Sequence, residues 1–192
     1  MARDKRFEVP PSGADREAER ARWRGHARGR PVETTAPGPG EESVWDYPRP
    51  PRLEACQRHV EVRLRGSLVA ETRHPFRVCE TASPPVYYLP ASDVKIHLLV
   101  RGSRESFCEW KGVARYWHVH VEGEVVENAG WSYEAPDAGF EPLTAAVAFY
   151  PGKLECFVDG ERVIPQAGDF YGGWVTHEIV GPFKGEPGSE GW

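Results

Sequence analysis

The chain has 192 residues, a formal net charge of −5 at neutral pH and 28% charged residues. That length suits one domain, and the mild acidity excludes a global electrostatic basis for binding nucleic acid. No apolar run is long enough to cross a bilayer and the opening MARDKRFEVPP lacks the apolar segment of a signal peptide, so a cytoplasmic protein without a membrane partner is expected.

Residues 1–43 are expected to be a flexible polar tail. Segment 14–24 (ADREAERARWR) contains helix formers but no apolar stripe, and an isolated helix so short is marginal in water. Residues 31–43 form a Pro/Gly/Glu linker with little to bury. Order is expected from Val44, with Trp45 and Tyr47 anchoring an extended Pro-rich segment. One folded domain then spans 44–182, and 183–192 is expected as a C-terminal tail.

Inside the domain, 20 Gly and 18 Pro point to many turns and short strands rather than long helices. Val60, Val62 and Leu64 alternate with charged residues, the period of a half-buried strand. The dipeptides Arg65-Gly66, Glu122-Gly123 and Asp159-Gly160, each between alternating runs, predict three β-hairpins. Further strands are expected at 76–80, 86–89, 95–100, 113–121 and 147–158. A short helix is expected over 140–146 with Asp137 as its cap. From Gln166 the chain is read as irregular, wrapping the domain and held by Phe170, Tyr171, Trp174 and Phe183. The sum is a mainly β domain, antiparallel and meandering.

Four separated cysteines with no Cys-x-x-Cys give no zinc or redox motif and read as small buried hydrophobes. His118, His120 and Glu122 share a strand face and have the spacing of a metal site, but Trp117, Val119 and Val121 occupy the opposite, core-like face, so the histidine face reads more simply as solvent-exposed. In a regular strand Glu109, Lys111, Val113, Trp117 and Val119 share a face. Lys111 then lies at the core edge, where a buried lysine must be paired, neutral or reaching a pocket. A bulge at Gly112 would instead send it to solvent.

The runs CEWKGVARY (108–116), NAGWSY (128–133) and VAFY (147–150) resemble the family known as domain of unknown function 427. Glu80, VYYLP (86–90) and Asp93-Val94 fit the same pattern, and PGPGEESVWDYPRPP (37–51) resembles its longer bacterial form. The resemblance covers residues 37–192. It implies a small, tent-like antiparallel fold of two sheets, here with one short helix, and it carries the label of a nucleotidyltransferase. The chain departs from that enzyme pattern: no acidic pair follows Gly102-Ser103 to hold metal ions.

Glu80, Tyr88, Asp93, Trp110, Lys111, Tyr116, Trp131 and Tyr133 are therefore the candidate ligand-binding residues. The first reading is a pocket for a small polar or anionic, nucleotide-like molecule. The second is a nucleotidyltransferase with Lys111 on phosphate and Glu80 and Asp93 on a metal ion. The third is an interaction protein working through its Arg-rich tail. The sequence indicates neither a cofactor nor an oligomeric state.

Overall fold

The computed structural model describes residues 13–24, 31, 34–168 and 170–189. Among them one α-helix, α1 (Gly13–Arg24), precedes fifteen strands. These are β1 (Glu42–Ser43), β2 (Arg52–Ala55), β3 (Val60–Leu64), β4 (Ser67–Thr72), β5 (Phe76–Glu80), β6 (Ser83–Pro90), β7 (Leu99–Cys108) and β8 (Gly112–Val121). They continue as β9 (Glu124–Ser132), β10 (Ala146–Phe149), β11 (Glu155–Val158), β12 (Glu161–Arg162), β13 (Ile164–Pro165), β14 (Trp174–Val175) and β15 (Ile179–Val180). With 46% strand and 14% helix the protein is mainly β.

A seven-stranded antiparallel sheet runs in the order β2-β5-β6-β10-β9-β8-β7, and a four-stranded one in the order β12-β11-β3-β4. Two small pairs close the edges: β13 with β14, and β1 with β15, the latter parallel. The alternation seen in the sequence decides the packing. Val60, Val62 and Val69 from the small sheet meet Tyr87, Leu89, Val119 and Phe149 from one face of the large sheet. On the opposite face Tyr88, Trp131, Tyr116 and Tyr133 form a second, aromatic cluster. Neighbours Tyr87 and Tyr88 therefore serve different cores, as strand pleating requires.

All three Gly hairpins form as expected. Arg65-Gly66, Glu122-Gly123 and Asp159-Gly160 each have positive φ at both residues, near 50° and then 80°. That is the type I′ geometry, whose twist matches the flanking strands. It is costly for Arg and Glu, which pay for a left-handed backbone that Asn tolerates better. Glu122→Asn is accordingly expected to stabilise the domain by about 0.5–1 kcal/mol. The urea midpoint should rise at constant slope, and a fall would contradict the turn assignment.

Several expectations need correction. The helix foreseen at 140–146 is a 3-10 helix of five residues, Glu141–Ala145, with Pro142 in its first turn. The strand placed at 95–100 begins only at Leu99, because Ile96–Leu98 form another 3-10 turn. The run 147–158 is two strands, broken at the turn where Tyr150 O accepts from Leu154 N. Trp174 and Phe183 do anchor the last segment, whereas Phe170 is 44% exposed and its ring meets Tyr171 edge to face at 5.7 Å.

Both chain ends touch the domain where they are described. Arg20 of α1 donates from Nε to Glu109 O at 2.6 Å and pairs with Asp137. Lys184 N donates to Ala82 O at 2.7 Å, and Ser189 is buried. The remainder of the segments expected as tails, at 1–12, 25–30, 32–33 and 190–192, lies outside the described residues.

Candidate functional site

The register of the large sheet draws one row of side chains across four strands. Tyr88 on β6 faces Ala148 on β10, Ala148 faces Trp131 on β9, and Trp131 faces Tyr116 on β8. Ala148 is the small member. Its methyl leaves room for Tyr88 and Trp131 to meet edge to face at 6.1 Å, and the indole Nε1 donates to the Tyr88 hydroxyl at 3.2 Å. Over this row lies a cavity of about 210 Å³. Its wall includes Glu80, Tyr88, Lys111, Tyr116, Trp131 and Tyr133.

Six of the eight candidate residues thus come together, and two do not. Trp110 is buried in the same aromatic cluster but stands behind the wall, with its indole N–H unpartnered among the described residues. Asp93 lies beyond the far end of β6, where it accepts from the Thr72 hydroxyl at 2.6 Å. Glu80 precedes the near end of that strand, and an eight-residue strand spans roughly 25 Å. A metal site shared by Glu80 and Asp93 is therefore not assembled. Glu80 instead pairs with Arg49 at 3.0 Å.

Lys111 reaches the cavity by a route different from the one read in the sequence. It is not on a strand: Cys108 pairs with Gly112, so Glu109, Trp110 and Lys111 form the loop between β7 and β8. Gly112 closes the loop in the left-handed region at φ 91°, within reach of Asp137 and Ala135. This glycine does break the strand parity, but the result is burial rather than exposure: Lys111 is only 8% exposed. It sits on the aromatic face with Ala114 and Tyr116, not on the face of Val119. Asp137 N donates to Lys111 O at 3.1 Å, and Arg20 of α1 holds the Glu109 carbonyl and Asp137 together.

The ammonium lies 5.9 Å from the Tyr133 ring centroid and 5.8 Å from that of Phe140, with the Cys108 thiol nearby. Among the described residues no carboxylate is within 4 Å of it, although Glu80 and Glu109 act on it from farther off. Burial works against its charge, while Cys108, Tyr88 and Glu80 favour it, and the net shift is upward. Most of that upward pull operates only as the thiol and phenol ionise. Burial pushes Cys108, Tyr88 and Tyr133 up, so at neutral pH all three stay protonated. The ammonium then lacks a close countercharge. Burial also raises the Glu109 carboxyl, with Glu80 adding repulsion.

The other half of the wall was not read from the sequence. Ser106 Oγ and Tyr116 Oη are 2.8 Å apart, and Tyr150 Oη donates to Phe170 O at 3.3 Å. Residues 170–173 fold across the cavity, fixed by Gln166, which accepts from Gly173 N–H and donates to Lys184 O. Any side chain at Gly172 would collide with the Trp131 ring. The Gly-Gly pair at 172–173 was the available signal for this close approach.

The histidine strand carries no such site. His118 Nδ1 accepts from Asn128 N–H at 3.0 Å and holds the bulge between β8 and β9. A different set, His59, Glu61 and Glu71, has ligand atoms within 4.8 Å of one another. Those groups are already engaged, His59 with Glu71 at 2.8 Å and Glu61 with Arg63 at 2.6 Å.

The family model described as Domain of unknown function (DUF427) matches residues 52–160, more than half of the chain, and the chain belongs to that family. No curated protein matches it. The match takes in β2 to β11 and so contributes Glu80, Tyr88, Lys111, Tyr116, Trp131 and Tyr133, whereas α1 and residues 170–173 over the cavity lie outside it.

Proposed function

We propose that this member of the DUF427 family is a binding domain for a small anionic ligand, held in the aromatic cavity with Lys111 receiving its charge. One observation carries the reading: a nine-tenths buried ammonium on the cavity wall with no carboxylate within 4 Å among the described residues. Withdrawing an ammonium from water costs several kcal/mol even after relaxation. Two ring faces return about 0.5–2 kcal/mol each. The remainder is what a bound anion would supply, and aromatic walls with few converging polar groups are the usual make-up of ligand pockets.

The competing readings have less support. Transfer of a nucleotidyl group through a metal ion on Glu80 and Asp93 needs the two carboxylates together, and they stand at opposite ends of β6. For the Arg-rich tail, Arg16 and Arg20 are turned onto Asp137 of the domain itself.

Thermal unfolding with and without organic acids, phosphate, neutral amides and amines tests the proposal. An anion present at 100 times its dissociation constant should add about 2.7 kcal/mol, a rise of several degrees in Tm for a domain of this size. The rise should vanish in Lys111→Gln. An equal rise in that variant, or none with any anion, overturns the reading.

A further inference from the structure

We infer that the ligand is an aromatic carboxylate of one ring or two fused rings, not a nucleotide; this rests on the anion-pocket reading above. Three observations set the class. The first is volume. An engineered cavity of about 150 Å³ holds benzene, so about 210 Å³ accommodates one aromatic ring with a carboxylate or a second fused ring. A nucleoside triphosphate exceeds that space and would have to extend out of it.

The second is charge. The wall carries Lys111 and Lys184 against Glu80 and Glu109, with Arg49 paired behind Glu80. Arg49 satisfies Glu80, and Arg104 lies over the Tyr116 ring at 4.3 Å, so the surroundings of the cavity favour an anion. Phosphates are ordinarily gripped by forked arginine contacts, by backbone N–H groups at a helix start, or by metal ions. Among the described wall residues there is no helix start, the neighbouring Arg49 and Arg104 are held on Glu80 and over the Tyr116 ring, and Glu80 and Asp93 are too far apart to share a metal.

The third is shape. Tyr88, Trp131 and Tyr150 present ring edges and faces at centroid spacings of 6.1 Å and 4.5 Å. A flat ring can join that array at the offset or edge-to-face distances aromatic pairs prefer. The Lys111 ammonium is on the same wall to meet the carboxylate, with the Tyr88 and Tyr133 hydroxyls beside it.

Calorimetric titration of the full chain with benzoate, indole-3-carboxylate, benzamide, cyclohexanecarboxylate, AMP and magnesium-ATP separates the cases. Benzoate or indole-3-carboxylate should bind at least tenfold more tightly than benzamide and cyclohexanecarboxylate, and Lys111→Met should lose at least tenfold for the carboxylates alone. If Lys111→Met does not fold, benzoate against benzamide on the unmodified protein still reports the charge requirement. Lys111-dependent binding of AMP or ATP without the carboxylates overturns the inference and leaves the anion pocket standing. Equal binding of cyclohexanecarboxylate removes the aromatic requirement. Binding of none of the anions overturns both.

Discussion

Lys111→Met is expected to raise the stability of the free protein by about 1–3 kcal/mol and to abolish its response to anions. Methionine has a similar length and enough flexibility to fill the space between Tyr133 and Phe140. It removes a charge whose burial costs several kcal/mol while giving up two cation–π contacts worth about 0.5–2 kcal/mol each. The gain should appear as a Tm rise of several degrees. A stabilised but unresponsive variant is the signature of a group kept for binding at the expense of stability. If Lys111 were a structural ion pair with Glu80 or Glu109, the same substitution would strand a carboxylate and cost about 3–5 kcal/mol. Equilibrium urea unfolding with no ligand present distinguishes the two, and a loss of that size would remove the anion receptor from the site.

Much of the frame was legible in the sequence because it rests on local rules. Gly66, Gly123 and Gly160 mark turns whose backbone demands them, and the alternation at 60–64 fixes which side chains enter the core. Lys111 shows where such rules stop. Parity gave it burial through a strand it does not occupy, and the true cause is the left-handed Gly112 together with the 137 loop that receives it. Asp93 was drawn into the site by a resemblance of sequence, while its position depends on how β6 runs between the sheets. Residues 170–173 were read only as irregular chain wrapping the domain, because their place over Trp131 is set by Gln166, a contact from outside the aromatic motif. The helical segment at 13–24 lacks an apolar stripe and yet docks. Its hold is polar, through Arg20 on Glu109 O and Asp137 and through Arg16 over the Phe107 ring at 5.0 Å.

The aromatic design that makes the pocket also sets an alkaline limit on the fold. Six of the seven tyrosines are buried, among them Tyr47, Tyr87, Tyr88, Tyr133 and Tyr150. Burial, the largest cause in each case, pushes all five phenols above their ordinary value. Below the unfolded phenol pKa of about 10, folded and unfolded chains both keep these protons and the stability is fully present. Above it, the unfolded chain releases protons that the folded one retains, so stability falls as pH rises. Each phenol contributes a slope of about 1.4 kcal/mol per pH unit, and five together about 7. A domain with 5–15 kcal/mol in hand should therefore unfold within about one or two units above pH 10. Tyrosinate absorbance should then rise cooperatively, in step with the loss of the β signal in circular dichroism. Five phenols titrating gradually near their free value in a protein that stays folded would show that the rings of the second cluster are hydrated, and the dry aromatic cavity with them would be lost.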